Sequence, residues 1–200
     1  KLSKKKYNHK NIKRILCVSN AIKNLTAPDI KNKSILKTVY SGIDLSKFSL
    51  EKQPFKKLHK EYSIPDDIPI IGNVAAIAQH KDYFTFINTV KELINRNIKA
   101  KFFIIGTGPM EEEIKNYCAQ KQLDKHIVFT GFRTDIKEIL PELTVFLITS
   151  ETEGLGTSII DAFACKVPVV ATRAGGIPEI IEHEKNGLLA DTKDAVELAN

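Results

Sequence analysis

Short apolar, β-rich runs alternate with helix-period segments along most of the 200 residues, and no other feature constrains the fold as tightly. Strands are expected at 14–18, 37–40, 69–77, 100–105, 126–130, 144–148, 167–171 and 187–190. Between them, Phe86, Val90, Leu93 and Ile94 recur at three- and four-residue steps within 82–96, the spacing of one helix face. A second helix is expected over 110–122, opened by Glu111, Glu112 and Glu113, whose charges suit the unpaired N–H groups of a first turn. Strands that read as continuous apolar runs are buried on both faces, and helical crossovers between them make neighbouring strands parallel. The fold class expected is therefore α/β, a doubly wound parallel sheet of Rossmann-like type.

A chain that is 42% hydrophobic and 27% charged can bury enough apolar surface to offset its ordering entropy, so disorder is not expected. No apolar run approaches the roughly 18–20 residues of a bilayer-spanning helix. Cys17, Cys118 and Cys165 are odd in number, far apart and without a CxxC spacing, which reads as free thiols in a reducing, cytoplasmic setting. Lys1, Lys4, Lys5, Lys6, Lys10, Lys13 and Arg14 all precede the first acid. Such a start steers phosphate-bearing partners or an anionic membrane surface, or is simply solvated. No nucleic-acid signature accompanies it, so nucleic acid is not an expected partner. The chain does not begin with Met and reads as part of a longer protein. SGIDLSKFSLEKQPFKK reads as a linker followed by a new helix. Residues 1–40 are therefore expected to be the tail of a preceding domain with its linker, and 41–200 a ligand-binding domain truncated at both ends.

In open α/β sheets, ligands bind outside the carboxyl ends of the strands, so the loops that follow strands carry the functional signal. Gly106-Thr-Gly-Pro-Met-Glu111 has glycines for a tight turn or close approach to a ligand and Pro109 for the first helical position. It lacks the third glycine of a dinucleotide fingerprint. Lys81 precedes Asp82, an expected N-cap, and is a point charge suited to phosphate, although a lone lysine is ordinarily a solvated one. The third loop, ETEGLGTSIID, places Gly154 and Gly156 before a helix whose first amides, at Gly156, Thr157 and Ser158, would face an anion such as a diphosphate. Glu153 lies before that helix and Asp161 on its second turn. Carboxylates there accept from neutral hydroxyls, which fits a nucleotide sugar better than bare phosphate. The plainer alternative makes Glu153 a capping acid and Asp161 a solvated helix residue. AGGIPEII supplies another glycine-rich turn into a short helix.

SNAIKN followed by VYSGIDLSKF, then IIGTGPMEEEI, VFTGFRTDI and above all SETEGLGTSIIDAFACKVPVVATRAGGIPEII, resemble in order and spacing the C-terminal, donor-binding domain of the retaining GT-B glycosyltransferases of group 1, family 4. The resemblance runs from about Arg14 to the end. It implies a nucleotide-diphosphate sugar as donor substrate, no cofactor and no metal, in keeping with the lack of a DxD motif. Residue by residue it implies Glu153 at the reacting sugar as the catalytic group and Asp161 on the ribose hydroxyls. The amides of Gly154, Leu155, Gly156 and Thr157 would face sugar and distal phosphate, Lys81 would hold phosphate, and Phe132 and Arg133 would flank the base by backbone and side chain. The activity implied is transfer of a hexose or N-acetylhexosamine to a saccharide or lipid-linked acceptor, held through the N-terminal domain, in polysaccharide or glycolipid biosynthesis. A cytoplasmic enzyme in peripheral contact with the inner face of the membrane is expected, and a fragment that binds donor without turning it over. Two departures stand out: Asp161 replaces the usual Glu, and Ala76 occupies the position of a usual arginine. A non-catalytic nucleotide-sugar-binding module and a GT-B sugar-nucleotide epimerase stay open as alternatives.

Overall fold

A computed structural model describes residues 2–47 and 56–200. In chain order the elements are α1 (Leu2–Tyr7), β1 (Ile15–Cys17), α2 (Asn20–Thr26), β2 (Leu36–Thr38), α3 (Lys57–Glu61), β3 (Ile70–Val74), α4 (Tyr83–Asn95), β4 (Lys101–Ile105), α5 (Glu111–Gln120), β5 (Ile127–Gly131), α6 (Ile136–Ile139), β6 (Val145–Ile148), α7 (Thr157–Ala164), β7 (Val169–Thr172), β8 (Leu188–Ala190) and α8 (Ala195–Leu198). Each expected strand and both expected helices form, with boundaries moved by a few residues. Residues 48–55 of the expected linker lie outside the described residues. No helix among the described residues is long and apolar enough to cross a membrane.

Six strands make one parallel sheet in the order β5-β4-β3-β6-β7-β8. The chain enters at β3 in the middle, works outward to β5, returns to β6 beside β3 and works outward the other way. The order reverses between β3 and β6, where Ile71 pairs with Val145 and Gly72 with Phe146. At such a switch point the outgoing loops diverge to opposite faces and leave a crevice at the carboxyl edge.

Neighbouring residues of a strand point to opposite faces, and both faces here are apolar. Phe103 and Ile105 join Leu58, Phe146, Ile148, Ile159 and Val169 in one core. Phe102 and Ile104 join Phe86, Val90, Ile114 and Leu147 in the other. Each fully buried side chain of this size contributes roughly 1.5–3 kcal/mol. That double burial is the reason the strands read as unbroken apolar runs. The pair β1–β2 is separate and also parallel, Ile15 opposite Leu36 and Cys17 opposite Thr38, over a small core of Cys17, Ile30 and Leu36.

Two local expectations change. Strand β3 ends at Val74 rather than 77, because the chain leaves the ladder to run along the β4–α5 loop, with the Ala75 amide donating to the Ile105 carbonyl (3.1 Å) and that of Ile77 to Thr107 (3.0 Å). Pro109 lies in a turn before α5, not at its first position, because the Met110 amide donates to the Ile77 carbonyl at 3.1 Å and the helix starts at Glu111. A Cβ on Gly108 would stand 2.2 Å from the Ile77 oxygen, so that glycine serves the contact of two loops rather than approach to a ligand.

Candidate functional site

The loops leaving β3 and β6 meet at the switch point and are stitched together by a side-chain hydroxyl and an amide of one on carbonyls of the other. Thr149 Oγ1 donates to the carbonyls of Asp82 (2.9 Å) and Lys81 (3.2 Å), and the Glu151 amide donates to the His80 carbonyl (2.9 Å). Asp82 caps α4 as expected, its carboxylate accepting from the Thr85 amide at 3.2 Å. With both loops fixed, Lys81 Nζ comes to 2.5 Å from Glu153 Oε1, and Ser150 Oγ donates to the same oxygen at 2.8 Å. The two charged side chains are only 19% and 10% exposed, so solvent screens the pair less than it would a surface one. Glu153 is therefore not a capping acid. Gly156 holds the N-cap position of α7 with φ +90° and no side chain.

Among the described residues, the amides of Gly154, Leu155, Gly156, Thr157 and Ser158 donate to no acceptor. A run of free N–H groups at a helix start is an anion site. Asp161 lies four positions beyond Thr157, on the same helix face. It is half-buried and has no side-chain partner among the described residues, and burial pushes its carboxyl above the usual range. It is thus partly withdrawn from solvent rather than a fully solvated helix residue. A carboxylate in that condition gains from hydroxyl donors.

Phe132, 75% exposed, and Arg133 line a cavity of about 250 Å³ with Val74, Ala75, Ala76, Gly106 and Thr107. The Arg133 guanidinium is already engaged. Its NH1 and NH2 donate to Glu61 at 2.6 and 3.0 Å, and its Nε and NH2 donate to Asp135 at 2.8 and 2.7 Å. The arginine holds the Asp135 carboxyl well below the usual carboxylate range. Two carboxylates thus tie the guanidinium and brace the loop after β5 against α3, while Arg133 remains part of the cavity wall.

A second cleft, of about 510 Å³, is walled by Ala21, Ile22 and Leu25 of α2 together with His80, Glu153, Gly154 and Gly175. The two cavities flank the β3–α4 loop, with Ala76 in the first and His80 in the second. Lys81, Glu153 and the free amides thus stand together. Phe132 and Arg133 line a neighbouring cavity, and Asp161 stands one turn along α7.

Sequence reasoning missed Glu179. Its carboxylate accepts from the amides of Asn20 (2.8 Å) and Ala21 (2.7 Å) and from the Tyr40 hydroxyl (2.7 Å), while Ser19 Oγ donates to the Gly154 carbonyl at 2.5 Å. The GGIPE stretch, which alone reads as a tight turn, is the seat of this contact. A Cβ on Gly175 would lie 1.9 Å from the Glu153 carbonyl oxygen, so only glycine lets this loop lie against the backbone that carries Glu153. One faint signal was present: α2 has a Ser19 cap but no acid in its first turn.

The sequence model of the family described as "Glycosyl transferases group 1" matches residues 54–200. The chain is 27% identical over 186 residues to N-acetyl-alpha-D-glucosaminyl L-malate synthase of Bacillus anthracis, covering 93% of this chain and 48% of that protein, so it spans about half the length of that relative. A crystal structure of Anabaena Alr3699/HepE in complex with UDP-glucose superposes with a TM-score of 0.85 at 22% identity, over 94% of this chain and 52% of that one, a likeness of fold. The C-terminal domain of a glycosyl transferase group 1 family protein (LpcC) from Francisella tularensis superposes with a TM-score of 0.68 at 28% identity, over 79% of this chain and 84% of that domain.

Proposed function

Because this chain belongs to the group 1 glycosyl transferases, we propose that residues 41–200 are the donor-binding half of a retaining GT-B enzyme. That enzyme moves a hexose or N-acetylhexosamine from a nucleotide-diphosphate sugar to a saccharide or lipid-linked acceptor, in polysaccharide or glycolipid assembly. The observation that carries this reading is the Lys81–Glu153 pair at the switch point, beside the free amides of 154–158.

In this reading the diphosphate lies against those amides and draws Lys81 Nζ toward itself. The base enters the cavity at Phe132 and Arg133, where backbone groups read it. Asp161 accepts from the ribose hydroxyls, and Glu153 accepts from the sugar at the reacting centre. When the bond from the anomeric carbon to the phosphate oxygen breaks, its electron pair stays on the diphosphate. Preorganised amides and one lysine stabilise that growing charge without reorganisation, which is the largest contribution such a site makes. No metal or cofactor enters the scheme. Retention corresponds to attack by an acceptor hydroxyl on the face the diphosphate leaves, its proton passing to the departing phosphate oxygen. The acceptor is held by chain beyond the residues described.

Calorimetric titration of the full chain with UDP, GDP and ADP, repeated on Asp161→Ala, tests the proposal. One nucleotide should bind, and its affinity should fall about tenfold or more in the variant, the loss expected when a charged hydrogen-bond acceptor is removed. Binding of none, or binding indifferent to the substitution, would overturn the donor-site assignment.

A further inference from the structure

The carboxylate of Glu153 is held by two donors on one oxygen. Lys81 Nζ (2.5 Å) and Ser150 Oγ (2.8 Å) both meet Oε1, and among the described residues no donor meets Oε2. The donors differ in what else they must do. Lys81 sits on a flexible four-carbon stem and its charge is wanted by an incoming diphosphate, which outcompetes a single carboxylate for an ammonium. Ser150 has a side chain of one carbon, is 1% exposed, and is anchored through its own carbonyl, which accepts from the fully buried Thr172 Oγ1 at 2.6 Å. It also directly follows Thr149, whose hydroxyl stitches the two loops together.

We infer that Ser150 is a positioning residue: it keeps Glu153 Oε1 in place while Lys81 turns from carboxylate to phosphate, so that Oε2 stays presented to the donor sugar. The inference rests on the donor-site reading above. Without ligand, Lys81 and Ser150 are redundant holders of the carboxylate. With a diphosphate bound, Ser150 is the holder that remains. A glutamate side chain released from both would recover its rotamer freedom, and ordering it again would oppose sugar binding. Ser150 should therefore matter for the sugar moiety and not for the nucleotide.

This separation supplies the test. The full chain and its Ser150→Ala, Ser150→Thr and Glu153→Gln variants are titrated with UDP against UDP-glucose and with GDP against GDP-mannose. In Ser150→Ala the nucleoside diphosphate should bind as in wild type, which also reports an intact fold, while its sugar conjugate binds about tenfold more weakly, the loss of one charged hydrogen bond. Ser150→Thr, which keeps the hydroxyl, should recover most of that loss. If Glu153→Gln selectively weakens the sugar conjugate but Ser150→Ala weakens both ligands equally or neither, the positioning role is overturned and the donor site stands. If Glu153→Gln does not discriminate the two ligands either, the assignment of Glu153 to the sugar falls and the role of Ser150 falls with it.

Discussion

Glu179→Ala should loosen the β1–β2 unit from the six-stranded sheet without touching the cores of that sheet. The carboxylate accepts from the Asn20 amide at 2.8 Å and from the Ala21 amide and the Tyr40 hydroxyl at 2.7 Å each. Hydrogen bonds to a charged acceptor are worth about 1.5–3 kcal/mol each when buried. Glu179 is largely exposed, so water replaces much of what is lost, and the change resembles removal of a helix cap, about 1–2 kcal/mol altogether. The small core of Cys17, Ile30 and Leu36 is held to the larger domain by this carboxylate and by the Ser19 hydroxyl on the Gly154 carbonyl, so removing the carboxylate leaves the hydroxyl contact in place. Backbone exchange across 15–38 should accelerate about 5- to 30-fold, the factor that 1–2 kcal/mol represents. Hydrogen–deuterium exchange read by mass spectrometry measures this, with the buried Phe102–Ile105 stretch of strand β4 as an internal reference that should not change. The same contact sets a pH dependence. Burial of Glu179 opposes ionisation, but the Ala21 and Asn20 amides and the Tyr40 hydroxyl outweigh it and hold the carboxyl below its usual value of 4.5. A depressed folded value means the stabilisation is complete above about 4.5 and is lost as pH falls through the lower folded value. Wild type should thus lose on acidification the protection the variant already lacks at neutral pH. Equal exchange of 15–38 in the two proteins at pH 7 would refute the tether.

Asp161→Asn should stabilise the ligand-free protein at pH 7 while weakening nucleotide binding. Burial raises the folded value of this carboxyl, so its contribution is complete below the unfolded value and is lost as pH rises through the folded one, leaving a cost at neutrality that Asn removes. The group is only partly buried, so solvent screening limits the gain to on the order of 0.5 kcal/mol, read as a higher urea midpoint. A midpoint at or below wild type contradicts the reasoning. The proposed contact with an anionic membrane rests on charge placement: before residue 51 the only acids are Asp29 and Asp44, against Lys4, Lys5, Lys6, Lys10, Lys13, Arg14 and several later lysines. Vesicles containing phosphatidylglycerol should co-sediment the full chain in a salt-sensitive way, those of phosphatidylcholine alone should not, and Lys4→Glu with Lys5→Glu and Lys6→Glu should weaken it. Absence of binding at low salt would sink that contact.

The strands were legible because burial on both faces leaves no room for polar alternation, and Phe102 to Ile105 carry that requirement openly. Lys81 and Glu153 were legible as loop residues following strands. Their contact was not, since they lie 72 positions apart and meet only because β3 and β6 are neighbours. Strand order is a property of the whole sheet that no local window contains. Arg133 shows the same division. Asp135, two residues on, was within sight, but Glu61, 72 positions earlier, is the second partner that completes the guanidinium's engagement. Glu179 finds its partners 139 to 159 positions earlier. Ser150 stands three residues from Glu153 and still escaped notice, because a serine at a strand end is common and only the rotamer shows which oxygen it holds. Residue type reveals what a side chain offers to a ligand. A side chain that acts through another residue reveals its role only when the sheet order has named the neighbour, which is why Ser150 and Glu179 emerge from the structure while Lys81 and Glu153 stand out in the sequence.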